Sequence, residues 1–134
     1  MKSLEHAVVG AVVGSIAAVA LQPPGGVPFL VVGAVFLSVF IDLDHFLIAR
    51  FERGDWQNLR TAVTNPRVGL VDQEGVFPEF GPRFNLKRLL SHHLIGGVAV
   101  GGLAVAGAAT FAAFVGIVLY AHVVCDFLRD LELA

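Results

Sequence analysis

From Ala7 to Ile41 the chain carries no Asp, Glu, Lys, Arg or His, a run of 35 residues. One membrane span needs only about 20 apolar residues, so this run is too long for a single crossing. Pro23, Pro24, Gly25, Gly26 and Pro28 interrupt it. Proline cannot continue a helix interior, and a Pro-Gly cluster reads as a tight turn. The run therefore divides into one helix from about Leu4 to Leu21 and a second starting near Val27. A second uncharged run, Leu94 to Ala121, has 28 residues. As one straight helix it would be about 42 Å long, against a hydrocarbon core of about 30 Å. With its flanks, Leu89 to Leu128, it holds two helices broken near Gly107 to Thr110. Composition agrees. The chain is 56% hydrophobic and only 15% charged, where soluble domains carry about 25% charged residues. A single cysteine, Cys125, excludes a disulfide scaffold, and a net charge of −2 excludes a basic nucleic-acid binder. Cys125 lies in an apolar run and reads as a small buried hydrophobe.

The expected fold is all-α, an integral membrane four-helix bundle in up-down-up-down order. Its spans lie near 4–21, 28–49, 90–106 and 110–129, in a single domain over 1–134. The 40 residues from Phe51 to Leu90 form a cytoplasmic loop (about 51–89) between helices 2 and 3. Asn65-Pro66, Phe77-Pro78 and Gly81-Pro82 are turn signals in it, and Val68 to Val71 reads as a short hairpin. Loops of this length are often functional lids. All nine Lys and Arg (Lys2, Arg50, Arg53, Arg60, Arg67, Arg83, Lys87, Arg88 and Arg129) fall on the face that such a bundle shares between the termini and the loop. By the positive-inside rule, both termini and the loop are cytoplasmic, in a cell inner or plasma membrane. Lys2, the apolar run and Ala18-Val19-Ala20 resemble a signal peptide, but Glu5 and His6 at its head fit one poorly, so a retained helix is expected. A single span over Leu94 to Ala121 would instead put His122 and Asp126 across the membrane from the other ionisable groups. Gly10 with Gly14 and Gly97 with Gly101 have the spacing that lets helices approach, and packing within the bundle is expected of both pairs.

The ionisable residues of the spans are not scattered. His6 begins helix 1, and Asp42, Asp44 and His45 lie late in helix 2. His92 and His93 begin helix 3, while His122 and Asp126 are late in helix 4. In the expected bundle all four positions fall in one layer at the cytoplasmic end. Pro28 to Ile41 is about 21 Å of helix, too short to cross, so helix 2 continues through Asp42 to His45. Ionisable groups at that depth cost several kcal/mol unless they face the interior and pair with each other or an ion.

The spacing suits chelation. His122 and Asp126 share a helix face, and Asp42 and His45 nearly do. Asp44 lies opposite Asp42 on a regular helix, so both reach one centre only if the helix departs from regularity there, or if two metals are bound. His92 and His93 diverge by about 100°, so one is a ligand and the other orients a ligand or meets substrate. Imidazole with carboxylate and no thiolate favours Zn, with Mn or Fe as alternatives, and the set is large enough for one or two ions. Simpler readings are an interfacial role for His6 and hydrogen-bonded polar pairs for the rest.

His6, the string Ile41-Asp42-Leu43-Asp44-His45, Ser91-His92, and His122 followed by Asp126 resemble the YdjM-like family of membrane-bound metal-dependent hydrolases. That family's pattern has an early His, P-D-x-D-H closing the second helix, H-R-x-x-T-H-S, and a late H-x-x-x-D. The resemblance spans the chain and the order of its motifs. It implies His6, Asp42, Asp44, His45, His92, His122 and Asp126 as metal-site residues. Ile41 stands where the family has Pro, Lys87 where it has the first His of the third string, and Ser91 where it has Thr. His93 stands in place of Ser, where it can supply the imidazole missing at Lys87.

The function expected is metal-dependent hydrolysis of a membrane-resident phosphoester or lipid headgroup at the cytoplasmic face, with membrane lipid as the partner. No nucleic acid is expected, and a homo-oligomer is compatible. Asp42, Asp44 and His93 are the candidate catalytic groups, and Arg53, Arg60, Arg83 and Arg88 are candidates to hold an anionic headgroup. Two rivals stand beside it. A non-catalytic subunit would use the layer as a structural metal or polar staple. A proton or metal-ion transporter would need a polar path, and only Ser15, Ser38 and Thr110 lie between the faces.

Overall fold

The computed structural model describes residues 3–71, 76–77 and 80–131. Its helices are α1 (Ser3–Leu21), α2 (Val27–Phe40), α3 (Asp44–Arg53), α4 (Gln57–Thr64), α5 (Pro66–Val71), α6 (Pro82–Val105) and α7 (Ala109–Asp130). No strand occurs among the described residues. A 3-10 turn, Ile41–Leu43, joins α2 to α3, so Val27–Arg53 runs as one long element. That element, α1, α6 from Arg83 and α7 are four helices long and apolar enough to cross a membrane. The chain is therefore a membrane protein by length and composition of its helices.

Both expected breaks are present. The first is a turn in which Gly25 and Gly26 take φ of 120° and 77°, values that a side chain would strain, and Pro28 then sits in the first turn of α2. The second is Gly107 at φ 79°, with Ala108 N–H bonded back to Leu103 O at 2.9 Å.

The segment between the second and third spans departs from the expected loop. It holds α4 and α5, and Val68 to Val71 belong to α5 rather than to a hairpin. Pro66 begins that helix, a position where its missing N–H costs nothing. The third span starts at Pro82, about eight residues before the expected start near 90. Arg83, Lys87 and Arg88 set the expected limit near 90, but charge does not end a helix.

The spans pack unequally. Gly10 and Gly14 bring α1 against α2. A Cβ on Gly10 would stand 2.7 Å from Ser38 Oγ, and one on Gly14 would overlap Ala34 Cβ. Ala17, Ala18, Leu30, Ala34, Phe114 and Val118 form the apolar core where α1, α2 and α7 meet. α6 lies outside this core, against α7 and α3. Gly96 meets Leu119, but a Cβ on Gly97 or Gly101 would meet nothing. The second glycine pair thus does not pack within the chain, contrary to expectation, because α6 turns it outward.

Candidate metal centre

Six side chains from the four spans converge at the end of the bundle where the 3-10 turn lies. His6 comes from α1, Asp42 from the turn, His45 from the start of α3, His92 from α6, and His122 and Asp126 from successive turns of α7. All six are buried, His6 and His122 with no exposed surface at all.

Asp42 is the hub. Its Oδ1 lies 3.3 Å from His45 Nε2, 3.2 Å from His92 Nε2 and 3.3 Å from His122 Nε2, and its Oδ2 lies 3.5 Å from His6 Nε2. Asp126 closes the other side, with Oδ1 at 3.1 Å from His6 Nε2 and Oδ2 at 3.4 Å from His122 Nε2. Two groups can each hold a cation: His6, Asp42, His122 and Asp126, and Asp42, His45 and His92. They share Asp42. In the second, His45 Nε2 and His92 Nε2 are 3.2 Å apart, so three ligand atoms form a nearly equilateral triangle. Ligands held about 2.1 Å from one cation in tetrahedral array stand about 3.4 Å apart, close to these edges.

Hydrogen bonding leaves part of this packing unmatched. Both oxygens of Asp42 and both ring nitrogens of His6 and His122 are buried without a hydrogen-bond partner. Such atoms cost about 1–3 kcal/mol each when left unmatched. Charge points the same way. With neutral imidazoles, Asp42, Asp44 and Asp126 bring three negative charges into a buried layer where Arg88 pairs with Asp126, and a divalent cation would offset the rest. The donor set, the spacing and the unmatched atoms all fit a metal ion.

Asp44 stands outside both groups. The 3-10 turn is the irregularity that lets it reach the layer, since Asp44 N–H bonds to Ile41 O and the two carboxylates come to flank one ring. Asp42 faces Nε2 of His92, and Asp44 Oδ2 lies 3.0 Å from its Nδ1. A carboxylate only accepts, so both ring nitrogens face acceptors; with a cation between His92 and Asp42, Nδ1 would donate to Asp44 and Nε2 would be free to ligate. Ser91 Oγ donates to the same Asp44 oxygen and also approaches Arg88 O at 2.9 Å. Sequence reasoning placed Ser91 only within a motif; its neighbour His92 was the available signal.

His93 does not join the layer. It is exposed, and its Nδ1 donates to Leu89 O of its own helix at 2.7 Å. With His92 facing inward, the next residue on α6 must point about 100° away, so His93 lies outside the layer that Asp42 and Asp44 reach. Among the four arginines considered for anion binding, Arg88 reaches the centre. Its Nε donates to His45 Nε2 at 2.9 Å, and its Nη2 lies 3.3 Å from Asp126 Oδ2. Arg53 instead binds Asp55 and Gln57. At the head of α4, Asp55 accepts the Gln57 N–H at 2.9 Å, and that bond first, then Arg53, holds its carboxyl below the usual range.

No protein-family model, curated protein or solved structure matches the chain.

Proposed function

We propose that the chain is a membrane-embedded, metal-dependent hydrolase of a lipid phosphoester, a member of the YdjM-like family, working at the cytoplasmic face. The observation that carries this reading is the sharing of Asp42 by two buried ligand groups, in which both Asp42 oxygens and the ring nitrogens of His6 and His122 lack hydrogen-bond partners. In this reading the bundle runs up-down-up-down with both termini and the segment from α4 to the start of α6 in the cytoplasm, as the basic residues require. Zinc is the favoured ion, since it accepts mixed imidazole and carboxylate ligands in a tetrahedral site; manganese and iron are the alternatives.

A bound divalent ion supplies Lewis acidity toward a phosphoryl oxygen and brings the pKa of its water near 7. The chain's own groups do the rest. Asp42, His45, His92, His6, His122 and Asp126 hold the ion or ions, and Asp44 fixes the ring of His92. Asp44 Oδ1, buried and without a hydrogen-bond partner, takes the proton of the attacking water. Water oxygen bonds to phosphorus, the bond from phosphorus to the lipid alcohol oxygen breaks, and the proton that Asp44 took passes to the leaving alcohol. Arg88, which bonds to His45 and Asp126, would be released to meet a phosphoryl oxygen if His45 held the ion.

A transporter is less well supported. Ser15 spends its hydroxyl on Ala11 O of its own helix, and Ser38, one turn from Asp42, is the next buried polar group. The test is release of inorganic phosphate from phosphatidic acid in vesicles by zinc-supplied protein. Release that stops with a chelator and in Asp42→Asn is expected. Zinc-loaded, folded protein that releases none from any phospholipid headgroup overturns the hydrolase reading and leaves a structural layer.

A further inference from the structure

Gly54, in the left-handed region at φ 89°, ends α3 and turns the chain back on itself. Leu59, Ala62 and Val63 of α4 then line one cavity with Phe40, Leu43 and Phe46 of the spanning element. α4 therefore lies alongside the end of that element and does not project away from it. A helix held beside the last turns of a span sits at the level of lipid headgroups, not in bulk water.

The opposite face of α4 is polar. Gln57, Arg60, Thr61 and Thr64 recur at the helical period, and with Asp55 and Trp56 they line an open cleft of about 660 Å³. Thr64 spends its hydroxyl on Arg60 O at 2.8 Å, and Asp55 is engaged by Arg53 and by the Gln57 N–H. Arg60 is exposed, and among the described residues no carboxylate pairs with it. Half-exposed Trp56 heads the helix, and the Arg50 guanidinium lies 5.8 Å from its ring centroid. The cleft thus offers a guanidinium, an indole N–H and the Thr61 hydroxyl as donors, with a second guanidinium over the indole ring.

We propose that this face of α4 docks an anionic phospholipid of the surrounding bilayer, its phosphate on Arg60 and its glycerol backbone against Trp56. Nothing in this site depends on a metal or on hydrolysis. Guanidinium matches phosphate with paired N–H groups, and the amphipathic indole settles where acyl chain meets headgroup. A zwitterionic lipid carries an ammonium group beside its phosphate, and Arg50 and Arg60 repel it. Net negative lipids are therefore preferred.

Trp56 is the one tryptophan of the chain, so its emission reports from the site itself. The test uses the full chain in phosphatidylcholine vesicles that carry either phosphatidylglycerol or phosphatidylcholine with brominated acyl chains, at one mole fraction. The expected result is quenching that corresponds to about fivefold tighter binding of phosphatidylglycerol, the ratio that ~1 kcal/mol for one basic residue near an anionic surface produces. Arg60→Gln removes that preference. Arg83→Gln, which takes an equal charge from α6, leaves it in place. An unchanged melting temperature in detergent is the sign that each variant is folded. Equal quenching by the two lipids, or a preference that survives Arg60→Gln, overturns the site. A preference that falls as far in Arg83→Gln reports only the general charge of the surface and overturns it too. Glycerol phosphate that shifts Trp56 emission in detergent, with no preference between the lipids, marks a site for soluble phosphate and overturns the lipid assignment.

Discussion

His92 and His93 adjoin in sequence, yet one faces the interior layer and the other the outer surface of α6. In the layer, His92 is held between Asp42 and Asp44, among carboxylates and rings whose polar atoms are in part unmatched. On the outer surface, His93 bonds to its own backbone, and six residues earlier on the same helix exposed Lys87 pairs with Glu52. Glycines divide the same way. Gly10 and Gly14 sit where a side chain cannot fit, while Gly97 and Gly101 face open space. The lesson is that residue type and spacing do not assign a role. The outer polar groups have partners, and the inner ones are grouped so that they could hold an ion.

Substitutions can break this contrast at several strengths. The largest effect is expected from Asp42→Ala, which removes the carboxylate common to both groups; metal content measured on the purified protein should fall to background. His122→Ala, by comparison, leaves Asp42, His45 and His92 and should retain part of the metal. Asp44→Asn removes no member of either group but loosens the ring of His92, so metal affinity should drop about 10–100-fold in a competition titration with a chelator. Undiminished affinity there would mean that Asp44 does not orient the ligand.

Packing gives the next prediction. Gly14→Leu forces a side chain into Ala34 and should destabilise the protein by about 1–3 kcal/mol, read as a lower melting temperature in detergent. Gly101→Leu should leave the melting temperature unchanged, and an equal drop in both would erase the distinction between the two faces. Smaller still, Lys87→Ala removes an exposed pair with Glu52 and should cost about 0–1 kcal/mol. His93→Ala should alter neither metal content nor phosphate release.

Much of the fold was legible because two uncharged runs and two breaks fix four spans by length alone. The helix limits were less so. Charge marks the edge of a membrane, and α6 continues past it to Pro82. The helices α4 and α5 hid behind a correct turn signal, since Asn65 does break the chain between them, but only for one residue. Of the seven expected metal-site residues, six form the two ligand groups, because spacing on a helix places side chains on a shared face. Asp44 fell outside them because its role depends on the 3-10 turn, which no propensity in Ile41-Asp42-Leu43 announces. Arg88 could not be told from Arg53, Arg60 or Arg83 without knowing which face of α6 looks inward.

The account turns on one buried centre built across all four spans, and elemental analysis of the detergent-purified protein tests it most directly. Wild type and the double variant His92→Ala, Asp126→Ala are to be supplied with zinc, manganese and iron, then freed of excess. One or two equivalents of metal in the wild type, lost in a double variant that still folds, is the predicted result. Metal-free, folded wild type after supplementation would contradict it and leave the layer as a polar staple between helices.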